Sequence, residues 1–206
     1  FAYVPDMGHG FISDDFGWIL HSRVDTVGDV ARLFTTAPMG FYRPIVALSF
    51  LLNESIAGLH PLAYGLVNLA LVIAIAGAIV ALCRALGLNR GYGLFAAGVW
   101  TFNIHGVGMA LTWISGRTSL LATLFAVLAA IAFTRQRRGL AAVWTGLAVL
   151  SKEEPILLPM VFIVWAAIEA LVPPGYRPRR ITPLVGRDTE LSVLERVVEL
   201  SVGNGR

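Results

Sequence analysis

Polar and apolar positions fall into long blocks along this chain, and the block lengths set the first expectations. Residues 1–42 are mixed and polar, with Pro5, Pro38 and several glycines. Within them Val27, Val30, Leu33 and Phe34 share a face at helical spacing. That predicts a short amphipathic helix over Thr26–Thr36, lying on a membrane surface. Residues 44–58 form an apolar run broken by Asn53 and Glu54, and Pro44 suits a first helical turn. Residues 61–83 have the length and apolarity of a membrane-spanning helix. Residues 92–112 and 118–134 predict a second and a third span, the second carrying Asn103 and His105 in its interior. Residues 139–172 are too long for one span and short for two. Ser151-Lys152-Glu153-Glu154-Pro155 interrupts them, which predicts two short helices meeting at a polar break. Residues 173–180, Pro-Pro-Gly-Tyr-Arg-Pro-Arg-Arg, read as a linker, and residues 188–202 as a soluble amphipathic helix. The pattern therefore predicts an all-α chain: a polytopic helical membrane bundle over 1–172, the linker 173–180, and a short helical C-terminal tail over 181–206.

Composition supports the membrane reading. Charged residues are 14% of the chain and apolar residues 56%, with a mean hydropathy of +0.72; soluble domains carry about a quarter charged residues. The net charge of +3 rests on arginine, since Lys152 is the single lysine. Arg84 with Arg90, the group Arg135, Arg137 and Arg138, and the group Arg177, Arg179 and Arg180 each follow an apolar span. That spacing marks cytoplasmic loops, with a lipid bilayer and no nucleic acid as partner. In this topology the three arginine groups share one side, and Asp14, Asp15, Arg117 and Lys152 share the other. The lone cysteine, Cys83, excludes an internal disulfide and reads as packing. The chain opens on Phe1 without a signal peptide, so a preceding transmembrane helix is expected to carry the Asp14–Asp15 loop across.

That Asp pair is the chemical anomaly. Between Glu54 and Glu153 the chain has no acidic residue, yet two carboxylates stand side by side in Gly10-Phe11-Ile12-Ser13-Asp14-Asp15-Phe16-Gly17-Trp18. Adjacent carboxylates repel and are costly near a bilayer. A base, a metal ligand or a cation site would justify them; loop solvation or helix capping is the plain alternative. As chain neighbours their side chains diverge, so one would meet a substrate and the other support it. No metal-ligand spacing accompanies them.

Further stretches follow in a familiar order: Phe41-Tyr42-Arg43-Pro44, then Gly58-Leu59-His60-Pro61-Leu62-Ala63-Tyr64, then Trp113-Ile114-Ser115-Gly116-Arg117, then Leu150-Ser151-Lys152-Glu153. Over residues 10–165 this order resembles the membrane half of the GT-C glycosyltransferases, specifically bacterial relatives of protein O-mannosyltransferases and of the transmembrane-and-TPR O-mannosyltransferases. The resemblance implies a truncated GT-C-like bundle in a bacterial inner membrane, with an extracytoplasmic active site. It implies transfer of a sugar from a polyprenyl-phosphate donor to a protein or glycan acceptor. Asp14 and Asp15 would then be catalytic, as base or metal ligand. No cofactor is implied, and a divalent metal stays open. Arg117 and Lys152 would stabilise the departing lipid phosphate, with Arg43 and His105 as further substrate-binding candidates. On the residues alone, Arg117 could instead mark a membrane boundary, Lys152 could pair with Glu153 or Glu154, and His105 could be an interior histidine.

One stretch departs from the pattern. The resemblance calls for a His-Pro pair and an acidic residue ahead of Trp113, but Asn103 to Thr112 holds His105 and neither of the others. A tail from Thr182 to Glu195 resembles the opening of AAA or STAND-type ATPase modules, without a phosphate-binding loop. Together they leave an alternative: a non-catalytic GT-C-like scaffold anchoring a cytoplasmic signalling ATPase module.

Overall fold

A computed structural model describes residues 10–24, 26–103 and 108–171. Eight α-helices occur among them, with no strand: α1 Asp14–Ser22, α2 Pro44–Ala57, α3 Pro61–Ala85, α4 Arg90–Thr101, α5 Met109–Thr112, α6 Arg117–Thr134, α7 Arg138–Val149 and α8 Leu158–Leu171. Short 3-10 helices cover Val27–Phe34, Pro38–Gly40, Ile114–Gly116 and Glu154–Leu157. The chain divides into residues 1–165 and residues 166–206; of the second unit, only the end of α8 is described. The linker and the tail over 173–206 lie outside the described residues.

Most predicted helices form close to their expected limits. Pro44 and Pro61 occupy the first turns of α2 and α3, where a missing N–H costs nothing and φ is already helical. The amphipathic stretch forms the 3-10 helix Val27–Phe34. Its start is closed by Asp29, whose carboxylate accepts from the Thr26 hydroxyl and backbone N–H while the Asp29 N–H donates to the Thr26 carbonyl. The polar break at 151–155 separates α7 from the 3-10 turn and α8, as its sequence implies.

The second expected span does not form as one helix. α4 ends at Thr101, where the Phe102 N–H turns back to Gly98. Phe102 and Asn103 are not helical, and residues 104–107 beyond them lie outside the description. At about 1.5 Å per residue the 12 residues of α4 reach about 18 Å, well short of an apolar core of about 30 Å. Asn103 sits at this break, and an asparagine side chain that can bond nearby backbone competes with helix continuation, a local effect that the averaged hydropathy of residues 92–112 hides. Among the described residues, three helical stretches are long and apolar enough to cross a membrane: Pro61–Ala85, Ile114–Thr134 and Glu154–Leu171. The chain is thus a multi-pass membrane protein.

α4, α3, α6 and α7 pack in that order, and α1 packs on α2 at one end. α3 is apolar all round, and only one face is covered: Tyr64, Asn68, Val72, Ile75 and Ala78 are buried, while Leu62, Leu66 and Ile73 are exposed. The first set sits at three- and four-residue steps and meets the bundle; the second is left for lipid. Between membrane helices apolar burial gives little preference over lipid, so close approach of small residues matters more. Buried Ala97, Ala122, Ala129, Ala132, Ala141 and Ala148 supply it, and Gly93 brings α4 against Val80 and Cys83. Ring contacts Phe125–Trp144 and Phe133–Phe162, at 5.7 and 4.6 Å between centroids, add to the seams. At Gly116 a Cβ would collide with the Ala110 backbone. Gly116→Ala is therefore expected to destabilise the bundle by about 1–3 kcal/mol, measured as a lowered thermal midpoint in detergent.

Candidate functional site

Asp14 and Asp15 open α1, where the helix N-terminus favours negative charge. The helix then separates them. Asp15 is fully buried. Its Oδ1 accepts from the Ser115 backbone N–H at 2.7 Å and from the Ser115 hydroxyl, and its Oδ2 accepts from the Ile12 N–H at 3.0 Å. Asp14 is exposed, and Ser13 donates to it at 3.1 Å. Ser13 itself holds φ 45°, a left-handed value that non-glycine residues seldom adopt.

Asp14 faces a cavity of about 720 Å³, whose wall also includes Phe41, Arg43, Trp113, Ser119 and Lys152. Arg43 precedes α2 and Lys152 follows α7, so the cavity joins three parts of the sequence at one end of the bundle. Its cations are held. Arg43 makes a bidentate bridge to Glu153, with Nη2–Oε1 at 2.6 Å and Nε–Oε2 at 3.0 Å, and its guanidinium lies over Phe41 at 4.4 Å. Lys152 Nζ donates to Ser119 Oγ at 3.2 Å and pairs with Glu154 at 2.7 Å. Hydrogen bonds from Arg43 hold the Glu153 carboxyl below the usual carboxylate range. A lowered folded value means that the bridge contributes above the ordinary carboxylate range and is lost as pH falls through the folded value. Glu153→Gln should therefore lower the thermal midpoint slightly at neutral pH and match wild type once the medium is acidic enough to protonate Glu153. An unchanged gap between the two across that range would count against the bridge.

Arg117 sits elsewhere than the sequence suggests. It is fully buried and is absent from the cavity wall. Its Nε donates to Asn68 Oδ1 at 2.9 Å, and its Nη2 to Asn53 Oδ1 at 2.8 Å and to the Tyr64 carbonyl at 3.0 Å. The Ser49 carbonyl accepts from Nη1 at 3.3 Å, and the Phe50 ring lies 4.7 Å below the guanidinium. The cation joins α6 to α2 and α3 and does not mark a membrane boundary. Asn68 also donates to the Ala110 and Ile114 carbonyls, at 3.0 and 3.1 Å. The stretch Trp113–Arg117 thus fixes the site from below: Ser115 holds Asp15, Gly116 admits Ala110, and Arg117 ties three helices.

His105 lies outside the described residues. Arg84 and Arg135 line one hollow where α3 and α6 end, the ends of these helices away from the Asp14 cavity. Among the described residues, no cluster of three or more His, Cys, Asp or Glu side chains suits a metal ion. Ser115, Ser119, Asn53, Asn68 and Glu153 were not singled out as site residues from sequence. Asn53 and Asn68 had a visible signal, as polar residues inside apolar runs, and Ser115 lies within the Trp113–Arg117 stretch; Ser119 had none.

The fold and the cavity define an all-α, multi-pass membrane protein with an acidic and cationic site at one end of its bundle. Comparison with known proteins narrows this. The chain is 32% identical over 165 residues to protein O-mannosyl-transferase TMTC2 of Mus musculus, covering 74% of this chain and 19% of that protein, and matches the Homo sapiens TMTC2 to the same extent. It is 28% identical over 221 residues to protein O-mannosyl-transferase TMTC3 of Mus musculus, covering 94% of this chain and 23% of that protein. These GT-C-type enzymes are its distant homologues. The chain spans about a fifth of the length of these relatives, which are vertebrate proteins and lend the bacterial setting no support. No protein-family model and no solved structure matches the chain.

Proposed function

We propose that this chain forms the membrane site of a glycosyltransferase of the protein O-mannosyltransferase kind. It would move a sugar from a polyprenyl-phosphate donor to a hydroxyl of a protein acceptor, on the side of the membrane opposite Arg84 and Arg135. The observation that carries the proposal is one cavity wall with an exposed carboxylate, Asp14, and two cations, Arg43 and Lys152. In this reaction Asp14 takes the proton of the acceptor hydroxyl as its oxygen bonds to the anomeric carbon. The bond from that carbon to the phosphate oxygen breaks, and the phosphate leaves with the electron pair. Arg43 and Lys152 stabilise the developing charge. Arg117 has no part in it, since its donors are committed inside the bundle.

A lipid donor also needs an apolar channel. A second cavity of about 500 Å³ shares Ser119 and Lys152 with the first and runs past Ala122, Ala126, Ala130 and Leu158. A prenyl chain lying there would leave its phosphate at Lys152. The test is transfer from polyprenyl-phosphate mannose to a hydroxyl-bearing acceptor peptide, using membranes that hold the full chain. Transfer by wild type supports the reading. Its absence with every donor favours the scaffold alternative, which the missing acid between Asn103 and Thr112 already supports.

A further inference from the structure

The two cations on the cavity wall are both neutralised from one short stretch. Glu153 takes Arg43 and Glu154 takes Lys152. The partners differ sharply in freedom. The Arg43 side chain is 10% exposed and stacked on Phe41, whereas that of Glu153 is 62% exposed. The Lys152 side chain is 26% exposed and also bound to Ser119, whereas that of Glu154 is 60% exposed. Each cation is therefore held in place by contacts other than its carboxylate, and each carboxylate stands mostly in solvent. A phosphate presents oxygens to a guanidinium in the same forked geometry as a carboxylate.

We propose that Glu153 and Glu154 are place-holders for the phosphate of a prenyl-linked ligand. They pair with Arg43 and Lys152 and swing out when the phosphate enters. This rests on the function proposed above and adds an exchange step to it. Each glutamate balances the charge of a cation that other contacts already orient, at the cost of competing with the ligand. It also sets specificity, because a neutral headgroup cannot displace either carboxylate. A bridge with a structural role alone would behave in the opposite way: its loss would loosen the site and weaken binding.

Binding of farnesyl phosphate to the full chain in lipid nanodiscs decides between the two. Exchange predicts that Glu153→Gln and Glu154→Gln each bind it about two- to fivefold more tightly than wild type, the range expected for release of an exposed ion pair. Arg43→Gln and Lys152→Gln should bind more weakly. Inorganic phosphate and farnesol form the control arms. Tightening seen with free phosphate as well as with farnesyl phosphate assigns the exchange to the phosphate itself, and tightening with farnesyl phosphate alone assigns it to a lipid-borne headgroup. Equal or weaker binding by both glutamine variants would overturn the proposal, as would equal tightening towards farnesol. If Glu153→Gln does not fold, Glu154→Gln decides the matter. Because binding is read without turnover, tightening in a chain that transfers no sugar would sink the enzyme reading and leave the exchange standing.

Discussion

Asp14→Asn is expected to cut sugar transfer by about 10²- to 10⁴-fold, the usual contribution of a positioned base, with the helical bundle unchanged. The carboxylate is exposed and its one described hydrogen bond comes from neighbouring Ser13, so an isosteric amide removes basicity and little else. Asp15→Asn should behave differently. Its carboxylate accepts three hydrogen bonds in a buried position, and an amide can accept on one side only. Its nitrogen would face either the Ile12 N–H or the donors of Ser115. Leaving a buried donor unpaired costs about 1–3 kcal/mol, more where charge is involved. Transfer by the Asp15 variant should therefore fall together with its thermal midpoint, whereas the Asp14 variant should lose transfer alone. Parallel assays and melting curves on the two variants separate base from support. Full transfer by a well-inserted Asp14→Asn protein would remove Asp14 from the mechanism.

Arg117→Ala should be the most damaging single change to the bundle. The guanidinium is wholly buried and spans α2, α3 and α6 through four acceptors. Truncation strands Asn53 Oδ1, Asn68 Oδ1 and two carbonyls and leaves a cavity between Phe50 and Tyr64. Leaving a buried acceptor unpaired costs about 1–3 kcal/mol, and the cavity left by a large side chain adds to that, so the sum is a large part of the stability of a small domain. The expected result is loss of folded protein in membranes and a protease-sensitive chain. Arg117→Lys should recover only part of it, since an ammonium cannot reproduce a planar fork directed at Asn53, Asn68 and Tyr64 together. A variant that inserts and melts like wild type would show that the cluster is dispensable.

Much of the architecture was legible in local pattern. Apolar length identified the spans from residue 61 and residue 118, prolines set the starts of α2 and α3, and the polar break at 151–155 separated α7 from α8. The span expected over 92–112 failed because averaged hydropathy overlooks a few residues that end a helix. Of the site, the Asp pair stood out because carboxylates are otherwise absent from the apolar bulk. Arg43 and Lys152 were nominated and lie on one cavity wall with Asp14.

The sequence by itself determined where most helices run and which residues are chemically out of place, because helical period and apolar length are properties of near neighbours. Only the tertiary structure decided what the misplaced residues do. Asp15 differs from Asp14 because Ser115, 100 positions away, closes over it. Arg117 turns inward because α2 and α3 offer it acceptors. Arg43 meets Glu153 across 110 positions. A charged side chain in a membrane protein settles where it is best solvated, and here the solvating groups come from helices remote in the chain, which no local pattern specifies.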